Sequence, residues 1–118
     1  MRLLNEGNFI GAERLLNQSI AEEPKNIDAL RLLGVIAAMQ GRQVEAKDIF
    51  ERLIEIVPNF AVAHSNLGNA LKALGQFDCA KASYETAIAL NPKDPEAMNN
   101  LGNLLQEGGF LAEAIYQY

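Results

Sequence analysis

Residues 63–71 read Ala-His-Ser-Asn-Leu-Gly-Asn-Ala-Leu, and the Leu67-Gly68 pair inside them decides the fold. The pair recurs as Leu33-Gly34 and Leu101-Gly102, at a spacing of 34 residues. Four further columns keep this spacing and carry a glycine, an alanine, a mostly aromatic residue and a proline. Their members are Gly7, Gly41, Gly75 and Gly109; Ala12, Ala46, Ala80 and Ala114; Leu16, Phe50, Tyr84 and Tyr118; and Pro24, Pro58 and Pro92. Five columns with one period indicate an internal structural repeat.

Each column predicts a structural role. Glycine inside a helix costs about 1 kcal/mol relative to alanine, so the Leu-Gly pair indicates that a neighbouring helix approaches closely. The alanine column predicts the same on the partner helix. We expect the aromatic column to fill the larger gap between helix pairs. The glycines of the Gly7 column predict left-handed caps at the end of the first helix, and the prolines close the second helix.

The apolar residues between these repeated columns are spaced three and four residues apart, as in a helix, and the alternation typical of a strand is absent. The pattern predicts first (A) helices near residues 1–6, 27–40, 61–74 and 95–108, and second (B) helices near residues 10–22, 44–57, 78–91 and 112–118. The short connections make neighbouring helices antiparallel. Asp94-Pro95-Glu96 reads as a helix N-cap followed by a favourable first turn.

The predicted fold class is therefore all-α, an α-solenoid of antiparallel helix pairs with about three and a half repeats. We expect a single domain over residues 1–118. It comprises a partial repeat at 1–26, complete repeats at 27–60 and 61–94, and a truncated repeat at 95–118. Neither end carries a polar capping helix, which favours a fragment of a longer repeat protein and a homo-oligomer formed through the uncapped ends.

Residues 63–71, together with Gly75, Ala80, Tyr84 and Pro92, resemble the tetratricopeptide repeat (TPR) family. The resemblance implies a right-handed superhelix whose A helices line a concave groove. Two positions depart from the family pattern, since aromatic residues are usual at both. The chain has Leu30, His64 and Met98 at one of them, and Leu3, Ala37, Leu71 and Leu105 at the other.

The phrases Asn66-Leu67-Gly68-Asn69 and Asn100-Leu101-Gly102-Asn103 are similar to repeats of the O-linked N-acetylglucosaminyltransferase type. In that family an asparagine ladder on the concave face holds extended peptide backbone. The resemblance places Asn66 and Asn100 in the ladder, and Leu32 interrupts it in the first complete repeat. Similar repeats also occur in scaffold proteins.

The resemblance places a peptide-binding groove on the A helices. The residues expected to line it are Arg31, Leu32, Val35, Val62, Ser65, Asn66, Asn69, Lys72, Asn99, Asn100, Asn103 and Gln106. A carboxamide both donates and accepts hydrogen bonds, as peptide backbone does, so clustered asparagines suit an extended peptide. The alternative is that these asparagines are only a solvated helix face.

Some TPR domains hold the tails of chaperones with a two-carboxylate clamp. This clamp needs lysine, arginine or asparagine at positions that carry, in this chain, Arg31, Val35, Asn66, Glu96 and Asn100. Glu96 has the opposite charge and the side chain of Val35 cannot donate, so chaperone-tail binding is not expected.

The chain has 118 residues and a net charge of −5, without the clustered cations that nucleic acids or anionic membranes attract. Cys79 is the only cysteine, which fits a cytoplasmic protein. Neither His64, the only histidine, nor Cys79 has partners at metal-ligand or catalytic spacing. We expect no catalytic residues, no cofactor and no metal.

Three functions remain open. The first is a non-enzymatic module that binds a protein or peptide segment. The second is the substrate-recognition arm of a larger enzyme such as a glycosyltransferase. The third is a self-assembling scaffold.

Overall fold

The computed structural model describes the backbone of residues 6–116 and the side chains of residues 9–108. The described chain forms six helices: α1 (Glu6–Glu22), α2 (Ile27–Met39), α3 (Gln43–Ile56), α4 (Ala61–Ala73), α5 (Phe77–Leu90) and α6 (Pro95–Tyr116). No strand occurs within these residues. The prediction of an all-α helical-repeat fold is confirmed.

The helices form two compact units, Met1–Pro58 and Asn59–Tyr118. In the first unit α2 packs against both α1 and α3. In the second unit α5 packs against both α4 and α6, and α4 also contacts α6. The assignment of one domain to the whole of residues 1–118 stays a prediction.

The aromatic column packs on the glycine of the Leu-Gly pair within the same helix pair. A Cβ built on Gly34 would lie 2.6 Å from Cε1 of Phe50, and one built on Gly68 would lie 2.6 Å from Cε1 of Tyr84. Both rings are only 1% exposed. Tyr84 also packs in a core with Leu104 of α6, and Leu101 packs against that core, so in the second unit the ring also lies between successive helix pairs, as expected. The glycine is needed because a ring, rather than a second backbone, occupies the space of its missing side chain.

The alanine column behaves as predicted in both complete pairs. Ala46 and Ala80 are completely buried. In the second unit Ala80 lies in a core with Leu71, Tyr84 and Leu104. Small side chains at this column let the second helix lie close to the first, which brings the ring onto the glycine.

Gly41 and Gly75 end α2 and α4 in the predicted left-handed caps, each with a φ of 79°. After Gly75, the amide of Gln76 donates to the carbonyl of Leu71 at 2.9 Å, and the amide of Gly75 donates to that of Lys72 at 3.0 Å. This pair of bonds satisfies carbonyls that the helix end would otherwise leave without partners. At the start of α6, the Asp94 carboxylate accepts from the amide of Glu96 at 3.0 Å, as expected for the predicted N-cap.

The prediction of caps at Gly7 and Gly109 was wrong, since α1 and α6 each run through the glycine as one helix. The separate helices predicted at 95–108 and 112–118 are joined in α6, and the break predicted between 1–6 and 10–22 lies inside α1. Continuing each helix through its glycine keeps the backbone hydrogen bonds that a cap would end. Residues 1–5 and 117–118 lie outside the description.

Candidate functional site

The residues predicted to line the groove fall in both units. Arg31, Leu32 and Val35 lie on α2 of the first unit. The other nine lie on α4 and α6 of the second unit, where the two helices contact each other. The surface described below is the one on α4 and α6.

Most of the predicted residues on these two helices reach solvent. Val62 is 45% exposed. Asn69, Asn99, Asn103 and Gln106 are also exposed, and Asn66, Lys72 and Asn100 are half-buried.

Ser65 is the exception on α4, because only 6% of its surface is exposed. It lies three residues before the buried Gly68, on the packed side of the helix. It therefore belongs to the core, which the spacing with Gly68 could have shown. On α2, Leu32 is 42% exposed, and Arg31 and Val35 are half-buried.

Asn69 has a partner inside its own helix pair. The hydroxyl of Tyr84 donates to Oδ1 of Asn69 at 2.5 Å, so one end of the Asn69 amide is already occupied. In the first unit the same two positions carry Val35 and Phe50, which can form no such bond. The asparagine therefore accompanies tyrosine, and valine accompanies phenylalanine, at a spacing of 15 residues. This pairing was visible in the sequence and was missed.

Lys72 also has a partner. Its Nζ lies 3.1 Å from the Glu107 carboxylate, which joins α4 to α6. Burial, together with the negative charge of Glu107, raises the pKa of the Tyr84 hydroxyl to about 12. Asn69, Lys72, Tyr84 and Glu107 thus form a polar cluster that holds the three helices of this unit together.

Replacing Tyr84 with phenylalanine should change stability in opposite directions at neutral and high pH. At pH 8 the variant loses the bond to Asn69, at a cost of about 1 kcal/mol. The raised pKa means that the fold favours the neutral phenol. That contribution is complete below pH 10 and is lost as the pH rises towards 12. The wild type should therefore lose about 2 kcal/mol relative to Tyr84→Phe over this range.

Urea unfolding at several pH values measures both effects. Asn69→Ala is the matched control, because it removes the hydrogen-bond partner but leaves the buried phenol. It should keep the loss of stability at high pH. Parallel pH profiles for the wild type and Tyr84→Phe would contradict the burial of the hydroxyl.

Four asparagines remain without an assigned partner. Asn66, Asn99, Asn100 and Asn103 make no side-chain hydrogen bond to any other residue among side chains 9–108. We call these four residues the asparagine strip. Asn99 and Asn103 are four residues apart, and Asn100 and Asn103 three apart, so they share one side of α6. The strip offers donors and acceptors from two helices that touch, on a surface that a peptide could reach.

Other chemistry is sparse in the described part of the chain. No group of three or more histidine, cysteine, aspartate and glutamate side chains is placed to hold a metal ion there. His64 is half-buried and is not without a partner, and Cys79 is an exposed free thiol. None of the described helices combines the length and apolar character that a membrane crossing requires.

The antiparallel pairs, the ring on the glycine and the 34-residue period define a helical-hairpin repeat protein. The family model described as "Tetratricopeptide repeat" matches residues 3–70, and that described as "TPR repeat" matches residues 68–109. The chain belongs to the tetratricopeptide repeat family.

Among its relatives is the human protein O-mannosyl-transferase TMTC1, which is 34% identical over 110 residues. That match covers 89% of this chain but 12% of the relative, so the chain spans about an eighth of that protein. A co-chaperone with tetratricopeptide repeats and a J domain, DNJ1 of Cryptococcus neoformans, is 31% identical over 91% of this chain and 20% of its own length.

Solved structures include a mutant O-GlcNAc transferase of Thermobaculum terrenum, with 30% identity and a TM-score of 0.81. The match covers 88% of this chain and 20% of that one, and agrees with the resemblance seen in the sequence. The first TPR domain of Spaghetti (RPAP3), bound to an HSP90 peptide, has a TM-score of 0.85 and 20% identity, covering 92% of this chain and 86% of that one. This second likeness concerns the fold alone.

Proposed function

We propose that this chain binds an extended segment of a protein or peptide on its A helices, and we argue the contact surface on α4 and α6 of the second unit. The observation that carries the proposal is the asparagine strip, whose four amides have no partner among the described side chains. An amide can donate to a peptide carbonyl and accept from a peptide N–H at the same time. Binding through such bonds depends little on the side chains of the ligand.

The energetics favour a binding role over a merely solvated surface. Asparagine in a helix interior costs up to about 0.7 kcal/mol relative to alanine. Four of them therefore cost up to about 3 kcal/mol, and no intramolecular side-chain hydrogen bond in the described residues offsets this. Asn69 differs, because Tyr84 occupies its carbonyl oxygen. Hydrogen bonds to a ligand would offset the helix-propensity cost of these four asparagines, which the contacts within the fold do not.

The polar cluster reduces the number of residues that we propose to contact a ligand. Asn69 and Lys72 are engaged with Tyr84 and Glu107, so we assign them to holding the helices in place. Ser65 is excluded by its burial. Val62 on α4 is exposed and would give an apolar contact, and Gln106 on α6 is exposed as well. Arg31, Leu32 and Val35 lie on α2 of the first unit, and their part in binding stays a prediction. Glu96, exposed at the start of α6, disfavours acidic tails as ligands.

A second proposal is that the chain is the substrate-recognition arm of a larger enzyme. The relatives and structures that carry enzyme names are much longer, and the chain matches 12% of TMTC1 and 20% of the bacterial O-GlcNAc transferase. The chain would then contribute binding, with the chemistry in another domain. We propose no catalytic residue, cofactor or metal within the chain itself.

Placement in the cytoplasm, and the lack of nucleic acid and membrane partners, stay predictions. The first is consistent with the exposed thiol of Cys79, and the others with the net charge of −5.

The binding proposal is tested by selecting peptides from a display library of random extended sequences, and then measuring their affinity by calorimetry. We expect Asn66→Ala combined with Asn100→Ala to weaken a selected peptide by about 100-fold, since each amide contributes about 1–1.5 kcal/mol. Asn91→Ala is the matched control, because Asn91 is an exposed asparagine of the same unit outside the strip. Its affinity should equal that of the wild type.

Two results would overturn the proposal. One is a library that yields no peptide above background. The other is a selected peptide that binds the double variant and the wild type equally well.

A further inference from the structure

The side-chain amide of Asn69 has two ends, and the bond that holds α4 to α5 uses only one of them. The Tyr84 hydroxyl donates to Oδ1 of Asn69 at 2.5 Å. The NH₂ group at the other end carries two donors, and it makes no hydrogen bond to any residue in the described part of the chain. Tyr84 is 1% exposed whereas Asn69 is exposed, so the amide turns its oxygen towards the packed side of α4 and its NH₂ group towards solvent.

Tyr84 fixes this orientation because its ring is held in the core. The ring lies against Gly68, where a Cβ would come within 2.6 Å of Cε1. Burial, together with the charge of Glu107, raises the pKa of the Tyr84 hydroxyl to about 12, so at neutral pH the hydroxyl keeps its proton. A protonated hydroxyl that points at an amide is best satisfied by the amide oxygen, which favours this orientation over the flipped amide.

The NH₂ group of Asn69 is therefore a fixed donor beside the asparagine strip. Asn66 lies three residues earlier on α4, so the two side chains are neighbours on one side of the helix. A donor that is held in place before binding loses less side-chain entropy than one that must first be ordered. The first unit has no such donor, since Val35 and Phe50 occupy the equivalent positions.

The charges around Asn69 indicate which acceptor fits its NH₂ group. Lys72 lies three residues after Asn69, and its Nζ is 3.1 Å from the Glu107 carboxylate, so the lysine is already neutralised. The same carboxylate acts on the Tyr84 hydroxyl that bonds to Asn69, where it contributes to the raised pKa. An anionic acceptor would be repelled by Glu107 without gaining an unpaired cation. A neutral carbonyl avoids that repulsion, and the backbone of an extended peptide supplies one at every residue.

We propose that Asn69 donates from Nδ2 to a backbone carbonyl of the bound segment, and that Tyr84 acts as a positioning residue beneath it. The proposal rests on the binding of an extended segment to α4 and α6 proposed above, and it adds Asn69 to the contacts of the strip although its oxygen is bonded to Tyr84. The bond runs in one direction only, because that oxygen faces the tyrosine. Asn69 therefore fixes the register of the segment at a carbonyl, which the unrestrained amides of the strip do not.

The test is a double-mutant cycle on the affinity of a display-selected peptide, measured by calorimetry on the wild type, Asn69→Ala, Tyr84→Phe and the double variant. Asn69→Ala should weaken the peptide by about 5- to 10-fold, as expected for the loss of one hydrogen bond. Tyr84→Phe should weaken it by about threefold because Asn69 loses its fixed orientation, and it should have no further effect once Asn69 is alanine. Thr86→Ala is the control for a substitution on α5, because Thr86 is exposed and its hydroxyl bonds to the Ala82 carbonyl of the same helix. Its affinity should equal that of the wild type.

Three further measurements separate positioning from a general effect on folding. Circular dichroism should show every variant fully folded at the temperature of the titration. In the free protein, Tyr84→Phe should shift the side-chain NH₂ signals of Asn69 in NMR spectra and leave those of Asn91 in place. In a scan that replaces each peptide carbonyl with a thiocarbonyl, a weaker acceptor, one position should weaken binding to the wild type and not to Asn69→Ala.

The outcomes distinguish this inference from the binding proposal on which it rests. If Asn66→Ala combined with Asn100→Ala weakens the peptide but Asn69→Ala does not, the segment binds to the strip and the inference is overturned. Equal effects of Tyr84→Phe with and without Asn69 would also overturn it, because the tyrosine would then act through the fold alone. A library without binders, or a peptide that binds every variant as it binds the wild type, would overturn both proposals.

Discussion

Replacing Phe50 with alanine should lower the free energy of unfolding by about 3–5 kcal/mol. The Phe50 ring is 1% exposed and its edge lies against Gly34, so the substitution leaves a cavity between α2 and α3. Because Gly34 has no side chain, α2 cannot fill that space by a change of rotamer. Urea unfolding followed by circular dichroism gives the value directly.

Val44→Ala is the control, since Val44 lies on the same helix and is 61% exposed. Its effect should stay within about 0.5 kcal/mol. Equal effects of the two substitutions would contradict the placement of Phe50 in the core of the first unit.

Gly68→Ala and Gly102→Ala should change stability in opposite directions, although they alter equivalent positions of successive repeats. Alanine gains about 1 kcal/mol of helix propensity at either site. At Gly68 the new methyl group would lie 2.6 Å from the Tyr84 ring, and the resulting overpacking costs about 1–3 kcal/mol or more. The ring is only 1% exposed and is held in the core, so we place the cost in the upper part of this range and expect a net destabilisation of about 1–2 kcal/mol.

A Cβ on Gly102 meets nothing within 4 Å, so for Gly102→Ala we expect a gain of up to about 1 kcal/mol. Urea unfolding of both variants gives the two signs. A double-mutant cycle with Tyr84→Leu isolates the contact, because Gly68→Ala should become neutral or favourable once the ring is removed. A Gly68→Ala cost that persists without the ring would place its origin elsewhere.

Much of the fold could be predicted from the columns alone. The bounds of α2, α3, α4 and α5 and the left-handed caps at Gly41 and Gly75 follow from local chemistry that a single sequence displays. The contact of the aromatic column with the glycine of its own helix pair could not be predicted in this way. A 34-residue period shows which residues are equivalent, but it does not show that a ring packs on the glycine of its own pair.

The errors at Gly7 and Gly109 have a different origin. Glycine permits a left-handed cap but does not require one. The sequence signal is the same at Gly75 and Gly109, but Gly75 is followed by α5, which packs back on α4, whereas α6 continues through Gly109.

The candidate surface was predicted from the sequence as a set of residues, and their part in binding stays a prediction. Asn66, Asn99, Asn100 and Asn103 have no side-chain partner among the described side chains, as the binding hypothesis needs. Asn69, Lys72 and Ser65 have structural roles that depend on Tyr84, Glu107 and the packed side of α4. Helical periodicity shows which face of a helix a residue occupies. A hydrogen bond between two helices also depends on how the helices pack, which the periodicity does not show.

The most direct test of the binding proposal is an NMR titration with a peptide selected by display, in which the side-chain NH₂ signals of Asn66 and Asn100 are followed. If these amides hold the peptide backbone, both signals should move with the fraction bound, and the side-chain signal of Asn91 should stay in place. A peptide that binds while Asn66 and Asn100 remain unchanged, with shifts confined to α5, would contradict a strip built to hold peptide.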